Sequence, residues 1–162
     1  MNKMSISAVG AIEIKNNKTR IVLEKPYATA LKGLDGFSHI NILWWCNDFD
    51  KPQCRQTLMT HVPYKNVASE MGIFATRSPQ RPNPIALSVA QILDIDYDAG
   101  KILVSYVDAN NMSPVIDLKP CTPCLDRVES PIIPQWCAHW PKSLEESAIF
   151  DWEEEFDQSC GE

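Results

Sequence analysis

Three prolines crowd into six positions at Pro79, Pro82 and Pro84. Each fixes its own φ and lacks a backbone donor, so this stretch can be neither helix nor central strand. It reads as a rigid loop, and its flanks must be elements that a preset bend can join. Those flanks are short apolar runs, Gly72-Ile-Phe-Ala-Thr76 before it and Ile85 to Asp94 after it, and both suit strands. Similar runs recur along the chain. Val9 to Ile14 and Arg20 to Leu23 flank Asn16-Asn17-Lys18, the pattern of a hairpin. His39-Ile-Asn-Ile-Leu-Trp-Trp45 is the most apolar run and reads as a buried strand. Lys101 to Val107 and Val115 to Leu118 are further strands, the last stopped by Lys119-Pro120. Residues 26–35 read as a loop or short helix, and 47–70 as polar and irregular. Six or seven short strands with almost no long helix predict a mainly β chain, a barrel or sandwich with peripheral loops. Residues 143–157 alternate acidic and apolar side chains, a pattern open to a C-terminal helix. The expected division is a single small domain over 1–142 and an acidic tail or helix over 143–162.

With 162 residues the chain is long enough to bury a core. No window approaches the eighteen or so apolar residues of a membrane span. The N-terminus shows neither an apolar signal core nor a small-residue cleavage site, so a cytoplasmic protein without membrane partners is expected. Net charge is −6, yet no basic residue occurs in 143–162, and the remainder holds 13 acidic and 15 basic residues. That balance excludes a strongly basic general nucleic-acid binder and leaves room for a local RNA-facing patch. Six cysteines without a signal peptide point to reduced thiols or a metal, not to a disulfide scaffold. Cys121-x2-Cys124-x12-Cys137-x-His139 approaches zinc-knuckle spacing, but its ends are irregular, so loop thiols are the favoured reading and no metal is assigned. Trp44, Trp45, Trp136, Trp140 and Trp152 are read as core or dimer packing ahead of base stacking. His39 is read as packed at the start of its strand and His61 as solvated.

Chemistry concentrates on the stiff loop. Arg77, Arg81 and Asn83 are donors with little entropy left to lose, which suits recognition of a carboxylate or phosphate. Arg81 and Asn83 are the candidate substrate contacts. The bland alternative is a surface turn whose arginines pair with the acidic tail.

Three blocks carry a family resemblance: Gly33-Leu-Asp-Gly-Phe-Ser-His39, Gly72-Ile-Phe-Ala-Thr-Arg-Ser-Pro-Gln-Arg-Pro-Asn-Pro-Ile-Ala-Leu-Ser88, and Ser113-Pro-Val-Ile-Asp-Leu-Lys-Pro120. In order and spacing they resemble the TrmO family over roughly residues 6–140. The resemblance implies a β-barrel S-adenosylmethionine-dependent methyltransferase, working as a homodimer with the methyl donor near the dimer interface. Its implied substrate is N6 of threonylcarbamoyl-adenosine at tRNA position 37. The absence of a Gly-x-Gly-x-x-Gly turn agrees with a fold outside the Rossmann class. The family's donor-binding positions fall on Asn47, Asp48, Arg77, Leu87, Asp108, Ala109, Asn110 and Asn111. An arginine suits the donor's carboxylate, an aspartate its ammonium or ribose, an asparagine its adenine edge, and Leu87 the adenine face. Asp117 and His39 are candidates for the base that takes the acceptor's proton.

Several positions depart from the family pattern. Asn111-Met112-Ser113-Pro114 replaces Asp-Gly-Thr-Pro, Ala86 replaces a glycine, and Cys121 stands where tyrosine is usual. The Pro-Arg-Gln loop before the second strand is absent, as is the C-terminal domain of longer members. Two alternatives therefore stand beside the tRNA reading: a methyltransferase for a small molecule or thiol, and a non-catalytic donor-binding or metal-binding module.

Overall fold

The computed structural model describes residues 4–61, 63–67 and 70–156. Its strands are β1 (Gly10–Lys15), β2 (Lys18–Leu23), β3 (His39–Trp45), β4 (Met59–Thr60), β5 (Met71–Gly72), β6 (Ile85–Asp96), β7 (Lys101–Val104) and β8 (Ser113–Pro120). Six of them close an antiparallel barrel in the order β1-β2-β7-β6-β3-β8, with β8 returning to pair with β1. The chain forms two compact units. The barrel unit comprises the chain up to Lys51 together with Asn83–Arg127; the second comprises Pro52–Pro82 and the chain from Val128 onward.

The barrel begins with a hairpin whose turn is set by two asparagines. Asn16 and Asn17 take φ values of 53° and 55°, which asparagine tolerates better than most residues, and Lys15 pairs with Lys18. Alternation then delivers Ile12, Ile21, Ile40, Ile42, Ile102 and Val115 to the interior, all fully buried. Burying each such side chain stabilises the fold by about 1.5–3 kcal/mol. β3 is covered on both faces. Ile40, Ile42 and Trp44 face the core, while Asn41 is also buried and donates to Asp126 at 2.9 Å. At the strand's exit Trp44 Nε1 donates to Ser88 Oγ at 3.0 Å. A register shift between Leu43 and Trp44 marks a bulge against β8.

Three expectations need correction. Gly72–Thr76 is not a strand: pairing stops at Gly72 and Ile73–Ala75 form a 3-10 turn. β8 does not stop before Lys119, because Lys119 and Pro120 still pair with Asn41 and Ile40 of β3. No single helix spans 143–156. Instead Leu144–Ser147 and Trp152–Glu155 each make one turn, capped by the Ser143 hydroxyl and the Asp151 carboxylate. Residues beyond 156 lie outside the described part.

The second unit packs around aromatic rings. Tyr64 stacks on Trp136 at 5.2 Å, and Trp140 meets Tyr64 edge-on at 4.9 Å and Trp152 at 5.4 Å. These tryptophans are packing residues, as the sequence suggested. Glu155 is buried among them and accepts from His139 Nε2 at 2.8 Å. Burial alone would push its carboxyl up, but the hydrogen bond from His139, the Trp140 N–H and the charges of His139 and Lys65 outweigh burial and hold it down. Trp140 Nε1 and the second Glu155 oxygen are both buried short of full hydrogen-bond geometry.

Candidate functional site

The barrel has two ends, fixed by strand register. β3 finishes at Trp45, opposite Ile85 at the start of β6, and β8 starts at Ser113, opposite Ile12 of β1. Asn47, Asp48 and Asn110–Met112 therefore cluster at one end, beside the Asn16–Asn17 turn. Backbone bonds tie this end together. Cys46 N donates to Pro84 O at 2.8 Å, and Met112 N to Ile12 O at 2.7 Å.

Asp48 is the hub of the cluster. Its Oδ2 accepts from Asn110 Nδ2 at 2.6 Å and its Oδ1 from Asn47 Nδ2 at 3.2 Å. Asn111 does a different job: its side-chain oxygen accepts from Ile14 N at 2.8 Å and pins the loop to β1. Asp108 accepts from the Tyr106 hydroxyl at 3.3 Å. Partial burial pushes the Tyr106 phenol up, and the neighbouring Asp108 charge and hydrogen bond push it further. Ala109 packs against the core, its N–H donating to Val107 O. Leu87 lies on β6 opposite Leu43 and is half exposed. Asn83, at the entry to β6, offers its carbonyl to Ile85 N at 2.7 Å.

The loop carries backbone strain at Met112. Met112 has a φ of 67°, which left-handed sterics disfavour by about 1–2 kcal/mol. Ala86 faces inward and packs against the core beside Trp44.

Arg77 and Arg81 belong to the second unit. Arg81 Nε donates to Ser78 O at 2.8 Å, and its Nη2 donates to Ile73 O at 3.0 Å and to Thr76 O. The loop thus wraps its own guanidinium, assisted by Ser78 N donating to Thr76 Oγ1 at 3.2 Å. Arg77 is exposed, and its charge lowers the phenol of Tyr64 against the larger upward push of burial.

His39 sits at the other end of the barrel, and Asp117 lies midway along β8, opposite Leu43 of β3. His39 pairs with Gln91, and its Nδ1 lies 2.9 Å from Ser38 Oγ. Asp117 is ion-paired to Lys119 at 2.6 Å and caps Leu118 N at 2.9 Å. Strands rise roughly 3.3 Å per residue, which places Asp117 about 13 Å along β8 from Ser113 and His39 about 20 Å along β3 from Trp45. The structure does not bring these two to the Asp48 cluster of the same chain. His61 is exposed, 3.4 Å from Glu70. Among the described residues Cys46, Cys54, Cys121, Cys124 and Cys137 form no disulfide, and Cys160 lies outside them. Burial and Asp126 push the Cys121 thiol up. Among the described residues no three His, Cys, Asp or Glu side chains gather as a metal site, and no helix is long and apolar enough to cross a membrane.

The sequence reading missed two features here. Tyr106 stands at the exit of β7 two positions before Asp108, and its polar neighbour was the available signal. The Asn110–Asp48 contact arises only when the barrel closes.

The chain resembles named proteins in sequence and solved TrmO structures in fold. An S-adenosyl-L-methionine-binding protein of Archaeoglobus fulgidus is 34% identical over 110 residues, covering 68% of this chain and 73% of its own. A probable S-adenosyl-L-methionine-binding protein of Methanocaldococcus jannaschii is 33% identical over 122 residues, 75% of this chain and 94% of its own. The tRNA (adenine(37)-N6)-methyltransferase of Escherichia coli is 29% identical over 116 residues, 70% of this chain but 48% of its own. The crystal structure of TrmO from Pseudomonas aeruginosa superposes with a TM-score of 0.60 at 26% identity, over 81% of this chain and 62% of that one. The chain thus spans less than two thirds of the solved TrmO chain. The family described as the tRNA-methyltransferase O N-terminal domain matches residues 8–127. A closed six-strand barrel and a match over most of the sequence place this chain in that family.

Proposed function

We propose that this protein is a methyltransferase that binds S-adenosylmethionine at the barrel end built from Asn47, Asp48, Leu87, Asp108, Ala109, Asn110 and Asn111. The observation that carries the reading is the Asp48–Asn110 pair, an exposed carboxylate held in place by two amides at the end where the resemblance sets the donor. The residues fit the donor's chemistry. Asp48 suits an ammonium or ribose hydroxyls, Asn47 and Asn110 an adenine edge, and the half-exposed Leu87 an aromatic face. When bound, the donor supplies a methyl group on a sulfonium, ready for in-line displacement. The chain's task is then positioning, together with a proton acceptor for an exocyclic amine. Asp48 and Asp108 are carboxylates at this end, where Asp50 also lies and accepts from Trp45 Nε1 at 3.1 Å. Arg77 keeps the role implied by the resemblance, a fork for the donor's carboxylate, as a separate proposal.

The acceptor we infer is N6 of adenosine 37 in tRNA, in its threonylcarbamoyl form, with the protein acting as a cytoplasmic homodimer. Support for adenine 37 of tRNA comes from the family match and from relatives named tRNA (adenine(37)-N6)-methyltransferase; the threonylcarbamoyl form, the dimer and the compartment rest on the resemblance alone. Calorimetric titration tests the donor site. S-adenosylmethionine should bind the native protein and lose affinity in Asp48→Ala; unchanged affinity in that variant removes the assignment.

A further inference from the structure

The opposite end of the barrel holds a cavity of about 390 Å³. That is within the roughly 300–1,000 Å³ range of small-molecule sites. Its walls are largely apolar: Val9, Leu23, Leu31, Leu34, Ile40 and Leu118, with Tyr27 and Phe37 as aromatic faces. The loop that shapes one wall turns at Gly33 and Gly36, with φ values of 86° and 90°. Asp35 in that loop is held by the Tyr97 hydroxyl at 2.9 Å.

Three charged residues line the cavity: Lys32, Asp117 and Lys119. Asp117 is already satisfied, since one oxygen caps Leu118 N and the other pairs with Lys119 at 2.6 Å. Among the described residues Lys32 has no ion-pair partner. The site therefore offers an apolar slot with one uncompensated cation at its lining. A neutral hydrocarbon would leave that cation unused, and a second cation would be repelled by it.

We propose that this cavity binds a small amphipathic monoanion, a carboxylate on an apolar body, with Lys32 pairing the carboxylate and Phe37 and Tyr27 covering the body. Bodies of two kinds match the lining, an acyl chain or a flat aromatic ring, and the test separates them. The cavity is distinct from the Asp48–Asn110 pair, which lies at the other end of the barrel.

The experiment is titration of the full chain with octanoate and with indole-3-carboxylate, each beside its neutral counterpart, 1-octanol or indole. Binding is followed by NMR shifts at Phe37 and Leu118. One of the anions should bind more tightly than its counterpart, identifying the body. Lys32→Met should weaken that anion roughly threefold to fivefold, the worth of a part-exposed ion pair, and leave the neutral probe unchanged. Ala30→Trp, on an exposed lining residue, should fill the cavity and abolish both while the melting temperature holds. Shifts elsewhere, equal binding of anion and neutral probe, or an anion affinity indifferent to Lys32→Met would each overturn the proposal.

Discussion

Asn110 Nδ2 donates to Asp48 Oδ2 at 2.6 Å, although 62 positions separate the two in sequence. The contact joins the loop after β7 to the turn after β3 at one end of the barrel. A charge-assisted hydrogen bond from the donor's ammonium or ribose to the Asp48 carboxylate so oriented would be worth about 1.5–3 kcal/mol. Asp48→Ala should therefore weaken S-adenosylmethionine binding by roughly tenfold or more. Both residues are exposed, so thermal stability should change by less than about 0.5 kcal/mol. A double-mutant cycle with Asn110→Ala, read by calorimetry, should show coupling between the two sites.

Met112 occupies a left-handed conformation with its side chain exposed, so little packing would be lost with it. Met112→Gly relieves about 1–2 kcal/mol of strain and returns part of that as entropy in the unfolded chain. A net gain of roughly 0.5 kcal/mol is expected in chemical denaturation. Met112→Ala keeps the positive φ and should give no gain.

Gly10 sits where β1 approaches β2 too closely for a side chain. A Cβ there would lie 2.3 Å from Val22 O and 2.9 Å from Leu23 Cα, and neither is a flexible chain end. Gly10→Ala should destabilise the barrel by about 1–3 kcal/mol in urea unfolding.

Arg81 holds its loop through three backbone carbonyls. Lysine lacks the planar fork and cannot reproduce that set. Arg81→Lys should loosen residues 73–81 by roughly 2 kcal/mol, read as faster amide hydrogen exchange there, with barrel protection unchanged.

The second unit should soften in acid. The Glu155 carboxyl is held below its ordinary value of 4.5, so its contribution is present above that value and is lost as pH falls through the lower folded value. Tryptophan fluorescence should report loss of the Trp136–Trp140–Trp152 packing at low pH. In Glu155→Gln that pH-dependent step should shrink.

The barrel was largely readable because its signals are local. Asn16-Asn17 permits the positive φ of a tight hairpin, and alternating apolar positions place Ile12, Ile21 and Ile42 inside. Gly72–Thr76 misled because its shape is set from a distance. Arg81 draws the carbonyls of Ile73 and Thr76 together, and only Ile73 and Thr76 of that run are buried. The C-terminal alternation likewise concealed a second cap at Asp151 and a buried Glu155 that pairs with His139. Asn47, Asp48 and Asn110 lie outside all three motif blocks, two of which, residues 33–39 and Ser113–Pro120, supply walls of the cavity at the other end. The bond from Asn110 to Asp48, and the cavity walled by residues 33–37 and 117–120, depend on closure of β8 against β1 and β3, which no local pattern records.

The most direct measurement incubates purified protein with methyl-labelled S-adenosylmethionine and tRNA lacking the mark, then digests the tRNA for nucleoside mass spectrometry. The account predicts label on N6 of the threonylcarbamoyl-adenosine at position 37, and its loss with Asp48→Ala. Absence of label from tRNA, or full labelling by Asp48→Ala, would contradict it.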